Sequence, residues 1–150
     1  MEQITIKDQL NNTIRLDKVP KRIVSLVPSQ TEFLHGIGLS EEVVGITKFC
    51  IHPKEWFKSK TRVGGTKTVN FSKIKELHPD LIIANKEENT QTEIEELQKL
   101  YTVYISDIFT LEDSYQMMTD IGVMTNKVVE TEKIVSSIKS NFEGLKKLNK

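Results

Sequence analysis

Apolar and polar residues alternate along Ile4-Thr5-Ile6-Lys7 and again along Thr13-Ile14-Arg15-Leu16, with the turn-rich Gln9-Leu10-Asn11-Asn12 between them. A period of two around a central turn predicts a small β-hairpin with one covered face. Pro20, which has no N–H to give to a strand ladder, ends that unit. Beyond Lys21 the texture changes. Ile23-Val24-Ser25-Leu26-Val27, Val43-Val44-Gly45-Ile46, Leu81-Ile82-Ile83-Ala84 and Val103-Tyr104-Ile105 are short, mostly β-branched runs with no regular polar alternation. Such runs fit strands buried on both faces of a parallel sheet. Segments of helical period separate or follow them, at 29–37, 71–77, 90–100, 111–121 and 127–148. Strands alternating with helices mean βαβ units with right-handed crossovers, so the class is α/β.

Helix starts carry chemical marks. Ser29-Gln30-Thr31-Glu32 and Thr90-Gln91-Thr92-Glu93 have the form in which a hydroxyl caps one free N–H and a glutamate reaches back to another. Asn70 and Thr110 are further N-cap candidates, while Gly38 and Gly122 stand where helices should stop. In the last helix Ile134, Ile138, Phe142, Leu145 and Leu148 form one apolar stripe, which must cover something.

Composition narrows the function more than the fold. A chain of 150 residues suits one domain. Its 21 basic side chains are matched by 21 acidic ones, so no bulk charge draws it to nucleic acid or to an anionic membrane surface. Cys50 is the single cysteine, which excludes an intrachain disulfide and a four-cysteine zinc site. No apolar run approaches the roughly 18 residues of a membrane span, so no membrane insertion is expected. Residues 1–7 lack the apolar core and cleavage site of a secretory signal, so the sequence as written reads as cytoplasmic. A periplasmic or cell-surface location is the alternative, if a signal was removed.

In a parallel α/β sheet, ligands bind beyond the carboxyl ends of the strands, where helix N-termini offer free N–H groups. That rule selects the segments 28–31, 48–53, 64–67, 85–89 and 106–109. Pro28 and Ser29 open the first, although capping alone accounts for Ser29. Cys50 and His52 are of metal-ligand type, but two ligands are too few for a site, and a buried structural cysteine beside a surface histidine is the better explanation. Gly64-Gly65-Thr66-Lys67 lacks the spacing of a phosphate loop, and its glycines are expected to serve the backbone. Lys86, Glu87 and Asn89 form a charged strand-to-helix turn, and Asp107 follows the last strand. No nucleophile–base team stands out, and no catalytic residue is assigned.

The motifs in order resemble a known family. Pro20-Lys21-Arg22-Ile23-Val24-Ser25-Leu26-Val27-Pro28-Ser29-Gln30-Thr31-Glu32, then Gly38-Leu39 with Val43-Val44-Gly45-Ile46-Thr47, then Arg62-Val63-Gly64-Gly65 with Val69-Asn70-Phe71-Ser72, then Leu77-His78-Pro79-Asp80-Leu81-Ile82-Ile83-Ala84, are similar to the amino-terminal lobe of class III periplasmic binding proteins. These are the cobalamin- and ferric-siderophore-binding receptors of ABC importers. The resemblance implies a Rossmann-like, three-layer α/β/α lobe with a parallel sheet, a small amino-terminal β-hairpin and a long carboxy-terminal helix. It further implies that residues 1–126 form the lobe and that 127–150 begin the helix leading to a second lobe, which is absent.

The function expected on that basis is capture of a metal chelate (a corrinoid, a ferric siderophore or haem) for an ABC transporter permease. No intrinsic cofactor or resident metal is expected. Pro28 and Ser29 would meet polar edges of the solute, and Phe49, Cys50 and His52 its face. Lys86, Glu87, Asn89 and Asp107 would line the rim. Where transporter-docking members place a glutamate, this chain has Ser72. A cytosolic chelate-handling or sensing protein of the same fold is therefore the second reading. A metal-dependent hydrolase using Cys50, His52 and Asp107 is the third.

Overall fold

The computed structural model describes residues 3–148. The outermost residues of the two expected units, 1–2 and 149–150, lie outside the described residues. In chain order the elements are strands β1 (Ile4–Lys7), β2 (Thr13–Leu16) and β3 (Ile23–Ser25), helix α1 (Pro28–Gly36), β4 (Val43–Ile46), α2 (Lys54–Ser59), β5 (Thr61–Arg62), α3 (Phe71–Leu77), β6 (Leu81–Asn85), α4 (Gln91–Leu100), β7 (Val103–Ser106), α5 (Leu111–Met124) and α6 (Val128–Leu148). Five strands make one sheet in the order β5-β4-β3-β6-β7, and every neighbouring pair is parallel.

Both faces of that sheet are covered, which is why its strands read as unbroken apolar runs. Along β6, Leu81 and Ile83 pack with Leu34 of α1, Ile37 just after it and Ile121 of α5. Ile82 and Ala84 point the other way, into a cluster with Ile74 of α3 and Leu97 of α4. The α/β/α layering follows from that alternation. The hairpin β1–β2 pairs Ile4 with Leu16 and Ile6 with Ile14, and its buried Ile14 and Leu16 join the cluster on the α1 and α5 side.

The hairpin turn closes the outer edge of β7. Asp8 is buried and accepts from the N–H groups of Leu10 at 3.0 Å, Asn12 at 2.8 Å and Ile105 at 3.2 Å. A carboxylate thus stands in for a neighbouring strand, and the edge is not left open to another chain.

Several local expectations change. α1 starts one residue early because Pro28, whose missing N–H costs nothing there, occupies its first turn. Val27 becomes the N-cap without a side-chain bond, and Ser29 lies inside the helix rather than capping it. The Thr90–Glu93 box does not close: the Thr90 hydroxyl donates to the Lys67 carbonyl at 3.0 Å, and Glu93 Oε2 accepts from Val69 N–H at 2.9 Å. Both groups are spent on a distant loop. Asn70 and Thr110 do cap, the latter in a closed box with Asp113.

Gly122 is not a stop, since α5 continues to Met124. It marks where α6 crosses: a Cβ there would come within 2.9 Å of Thr131 Cβ. α2 and β5, six and two residues long, are too short to leave a periodic signal. Along α6 the lobe lets go: Thr131 is buried, Ile134 packs on the core, and Phe142, Leu145 and Leu148 are exposed.

Candidate functional site

Because the sheet strands run parallel, the segments that follow them emerge at one edge, and side chains tie them together there. The buried Asn89 donates through its amide to the carbonyls of Leu26 at 3.1 Å and Thr66 at 2.9 Å, joining the segments after β6, β3 and β5. Lys48 N–H donates to the Gly64 carbonyl at 2.8 Å, joining the segments after β4 and β5. Gln30 of α1 and Asn85 of β6 both donate to the Ser106 hydroxyl, at 2.6 and 2.9 Å, which brings in the end of β7. The edge is one connected rim.

Its floor is polar and closed. Cys50 is 1% exposed, with its sulfur 3.2 Å from the hydroxyls of both Thr31 and Thr47. The thiol faces inward and supports the rim, so the expectation that it meets the solute is corrected. Asn89 is corrected likewise, since its amide is fully engaged with backbone. Gly64, at φ +100°, turns the chain after β5 in a conformation that favours glycine.

The upper surface carries other groups. Phe49 is 54% exposed, Ile51 52% and Phe109 75%. Ser29, His52 and Glu87 are exposed, and Pro28 is half-buried. The Lys86 ammonium lies 3.9 Å from Asp107 Oδ2, a long and half-solvated pair that leaves the lysine available to a solute. Ile51 and Phe109 lie in the expected rim segments but were not among the residues expected to contact the solute. Shallow depressions of about 500 Å³ beside Lys48, Gly65 and Phe71, and about 470 Å³ beside Leu10, Lys86 and Ile94, flank this surface. Neither encloses a guest as a full pocket does.

Cys50, His52 and Asp107 do not form a site. β4 and β7 are separated by β3 and β6, a span of about 14 Å at the usual strand spacing. Among the described residues, no three His, Cys, Asp or Glu side chains converge to hold a metal ion.

Behind the last rim segment, the buried Asp120 accepts from the Tyr104 hydroxyl at 2.6 Å and from Gln116 Nε2 at 2.8 Å. Burial pushes the Asp120 carboxyl above its ordinary value, against the pull of those donors. Burial, then the bond to Asp120, pushes the Tyr104 phenol up, so it stays a neutral donor. Asp120 therefore holds its proton more tightly folded than unfolded. Its contribution to stability is complete below the unfolded carboxylate range and is lost as pH rises through the folded value. Tyr104→Phe removes a donor to the charged form, at a cost of about 2 kcal/mol near neutral pH. That cost is expected to shrink as acid protonates Asp120. Urea unfolding of both proteins at about pH 7 and about pH 4 checks this, and an equal gap at the two would contradict it.

A family profile described as periplasmic binding protein matches residues 23–150. The ABC transporter substrate-binding lipoprotein YvrC of Bacillus subtilis is 30% identical over 146 residues, which is 95% of this chain and 46% of that protein. A vitamin B12-binding protein of Vibrio cholerae is 35% identical over 94 residues, 62% of this chain and 34% of that one. Among solved structures, the petrobactin-binding protein YclQ of Bacillus subtilis superposes with a TM-score of 0.86 at 28% identity, covering 98% of this chain and 53% of that chain. This chain thus spans about half the length, or less, of the relatives it matches. A family described as periplasmic and a relative described as a lipoprotein overturn the cytoplasmic expectation. An export address is a separable segment, and the residues of a folded lobe keep no imprint of it.

Proposed function

The chain belongs to the periplasmic binding protein family, and from that premise we propose that it is one lobe of a receptor that captures a metal chelate for an ABC importer. The observation that carries the reading is the knitted rim, with Phe49, Ile51 and Phe109 outward and Lys86, Ser29 and His52 beside them. Exposed rings and an aliphatic side chain suit the broad face of a chelate. The free N–H groups of the first turn of α1 and the Lys86 ammonium suit its polar periphery. The B12- and petrobactin-binding proteins that the chain resembles support the chelate class. The members are binding proteins, and the work proposed for this chain is likewise capture, with no bond made or broken.

Residues 1–126 are the lobe in this reading, and 127–150 begin the helix to a second lobe. The exposed Phe142, Leu145 and Leu148 are then covered by that lobe, which also closes the rim over the solute. The permease of the importer is the partner to which the loaded receptor delivers.

Thermal unfolding of this chain, and of a two-lobed form, with cyanocobalamin, cobinamide, haemin and a ferric siderophore tests the proposal. A ligand at a hundred times its Kd stabilises by about 2.7 kcal/mol, or roughly 8 °C at this size. One class is expected to raise the melting temperature by that order in the two-lobed form and by less in the single lobe. No shift in either form with any of them would overturn the receptor reading.

A further inference from the structure

We propose that Gln9, at the tip of the hairpin, is a positioning residue for the rim, holding the 106–110 segment in the shape that presents Asp107 and Phe109 to the solute. The proposal rests on the receptor reading for its consequence in binding, but not for the positioning itself. Gln9 spans three elements. Its N–H donates to the Ile105 carbonyl at 3.1 Å, its Oε1 accepts from Asp107 N–H at 2.8 Å, and its Nε2 donates to the Asp113 carbonyl at 2.8 Å. The backbone of Gln9 ties it to the end of β7, and its one side chain clamps the rim segment to the first turn of α5. An amide is suited to this because it offers a donor and an acceptor together. Glutamate keeps the acceptor and loses the donor; methionine, of similar length, supplies neither bond.

The segment needs a clamp. Phe109 is 75% exposed, so its ring has little packing to hold it. At the far end Asp113 accepts from the N–H groups of Phe109 at 3.0 Å and Thr110 at 3.1 Å. Those two bonds hold its carboxyl below the usual carboxylate range. The near half, Asp107, is secured through its N–H by Gln9. Gln9 is itself fixed by Asp8, which organises the hairpin turn and takes the N–H of Ile105. A rim segment ordered beforehand spares the solute the entropy of ordering it on arrival. The clamp comes from outside the matched segment 23–150, so the hairpin contributes to the site without touching the solute.

The test compares wild type, Gln9→Met and Gln9→Glu in the two-lobed protein, with cyanocobalamin and a ferric catecholate siderophore as probes. Without any probe, amide exchange at Asp107 is expected to quicken about tenfold in Gln9→Met, with a smaller change in Gln9→Glu. Kd for the bound probe is expected to weaken about tenfold in Gln9→Met, chiefly through faster release, with partial recovery in Gln9→Glu. The melting temperature should move little, which separates positioning from a general loss of stability. Unchanged exchange at Asp107, or quickened exchange with unchanged affinity, would overturn the proposal. If wild type binds neither probe, the receptor reading fails for these solutes, while the exchange comparison still decides whether Gln9 orders the rim.

Discussion

Asn89→Ala is expected to lower the melting temperature by about 12 °C, from a loss of about 4 kcal/mol, and to abolish the proposed solute capture. Asn89 is 3% exposed, and its side chain satisfies the Leu26 and Thr66 carbonyls and the N–H of Asn85 at once. Alanine leaves all three backbone groups without that partner, those of Leu26 and Asn85 buried and that of Thr66 partly so, and each buried loss costs about 1–3 kcal/mol. Asn89→Asp probes the same site differently. It keeps an oxygen for Asn85 N–H but sets a carboxylate against two carbonyl oxygens, so it should be at least as damaging. Urea unfolding with calorimetry reads the stability. Exchange at Leu26, Thr66 and Asn85 shows whether the three segments part. A stable Asn89→Ala protein with unchanged exchange would mean that the rim is held by other bonds.

The frame of the molecule was legible because burial on both faces leaves a strong mark. Leu81-Ile82-Ile83-Ala84 can hardly be other than an inner parallel strand, and the parallel arrangement puts every following segment at one edge. Which way a residue faces within such a segment was not legible. Cys50 and Ile51 are adjacent, yet one is buried and the other 52% exposed. The choice is made by Thr31 and Thr47, whose hydroxyls receive the thiol.

The same long-range competition undid the Thr90–Glu93 box. Its two groups bond Lys67 and Val69, more than twenty positions away. Ser29 was misread for a local reason, since Pro28 fits the first helical turn and moved the start. Gln9 left no mark at all. An amide in a turn looks like any solvated side chain until β7 and α5 stand beside it. The residues proposed to meet the solute are therefore harder to read than the fold that carries them.

Gly122→Ala is expected to destabilise the lobe by about 3 kcal/mol, roughly 9 °C, although alanine is the better helix former by about 1 kcal/mol. The sign is decided by space. The new methyl would stand 2.9 Å from Thr131 Cβ and 3.2 Å from its Cγ2, with the Thr131 hydroxyl closer still. Thr131 is a short, buried, branched side chain on α6, so it cannot swing aside as a lysine would. The helices α5 and α6 must separate, and the packing of Ile134 on the core loosens with them. Thr131→Ala in the same chain removes the hydroxyl and Cγ2 and should restore at least half of the loss. That coupling exceeds 1 kcal/mol in a double-mutant cycle. Because α6 is proposed to carry the second lobe, Gly122→Ala should also weaken solute binding in the two-lobed protein, by tilting the connection while leaving the rim intact. Exchange along α6, set against exchange at Asn85 and Asn89, distinguishes the two. If Gly122→Ala were as stable as the parent, the close crossing of α5 and α6 would be refuted, and with it the fixed geometry it would lend the proposed connecting helix.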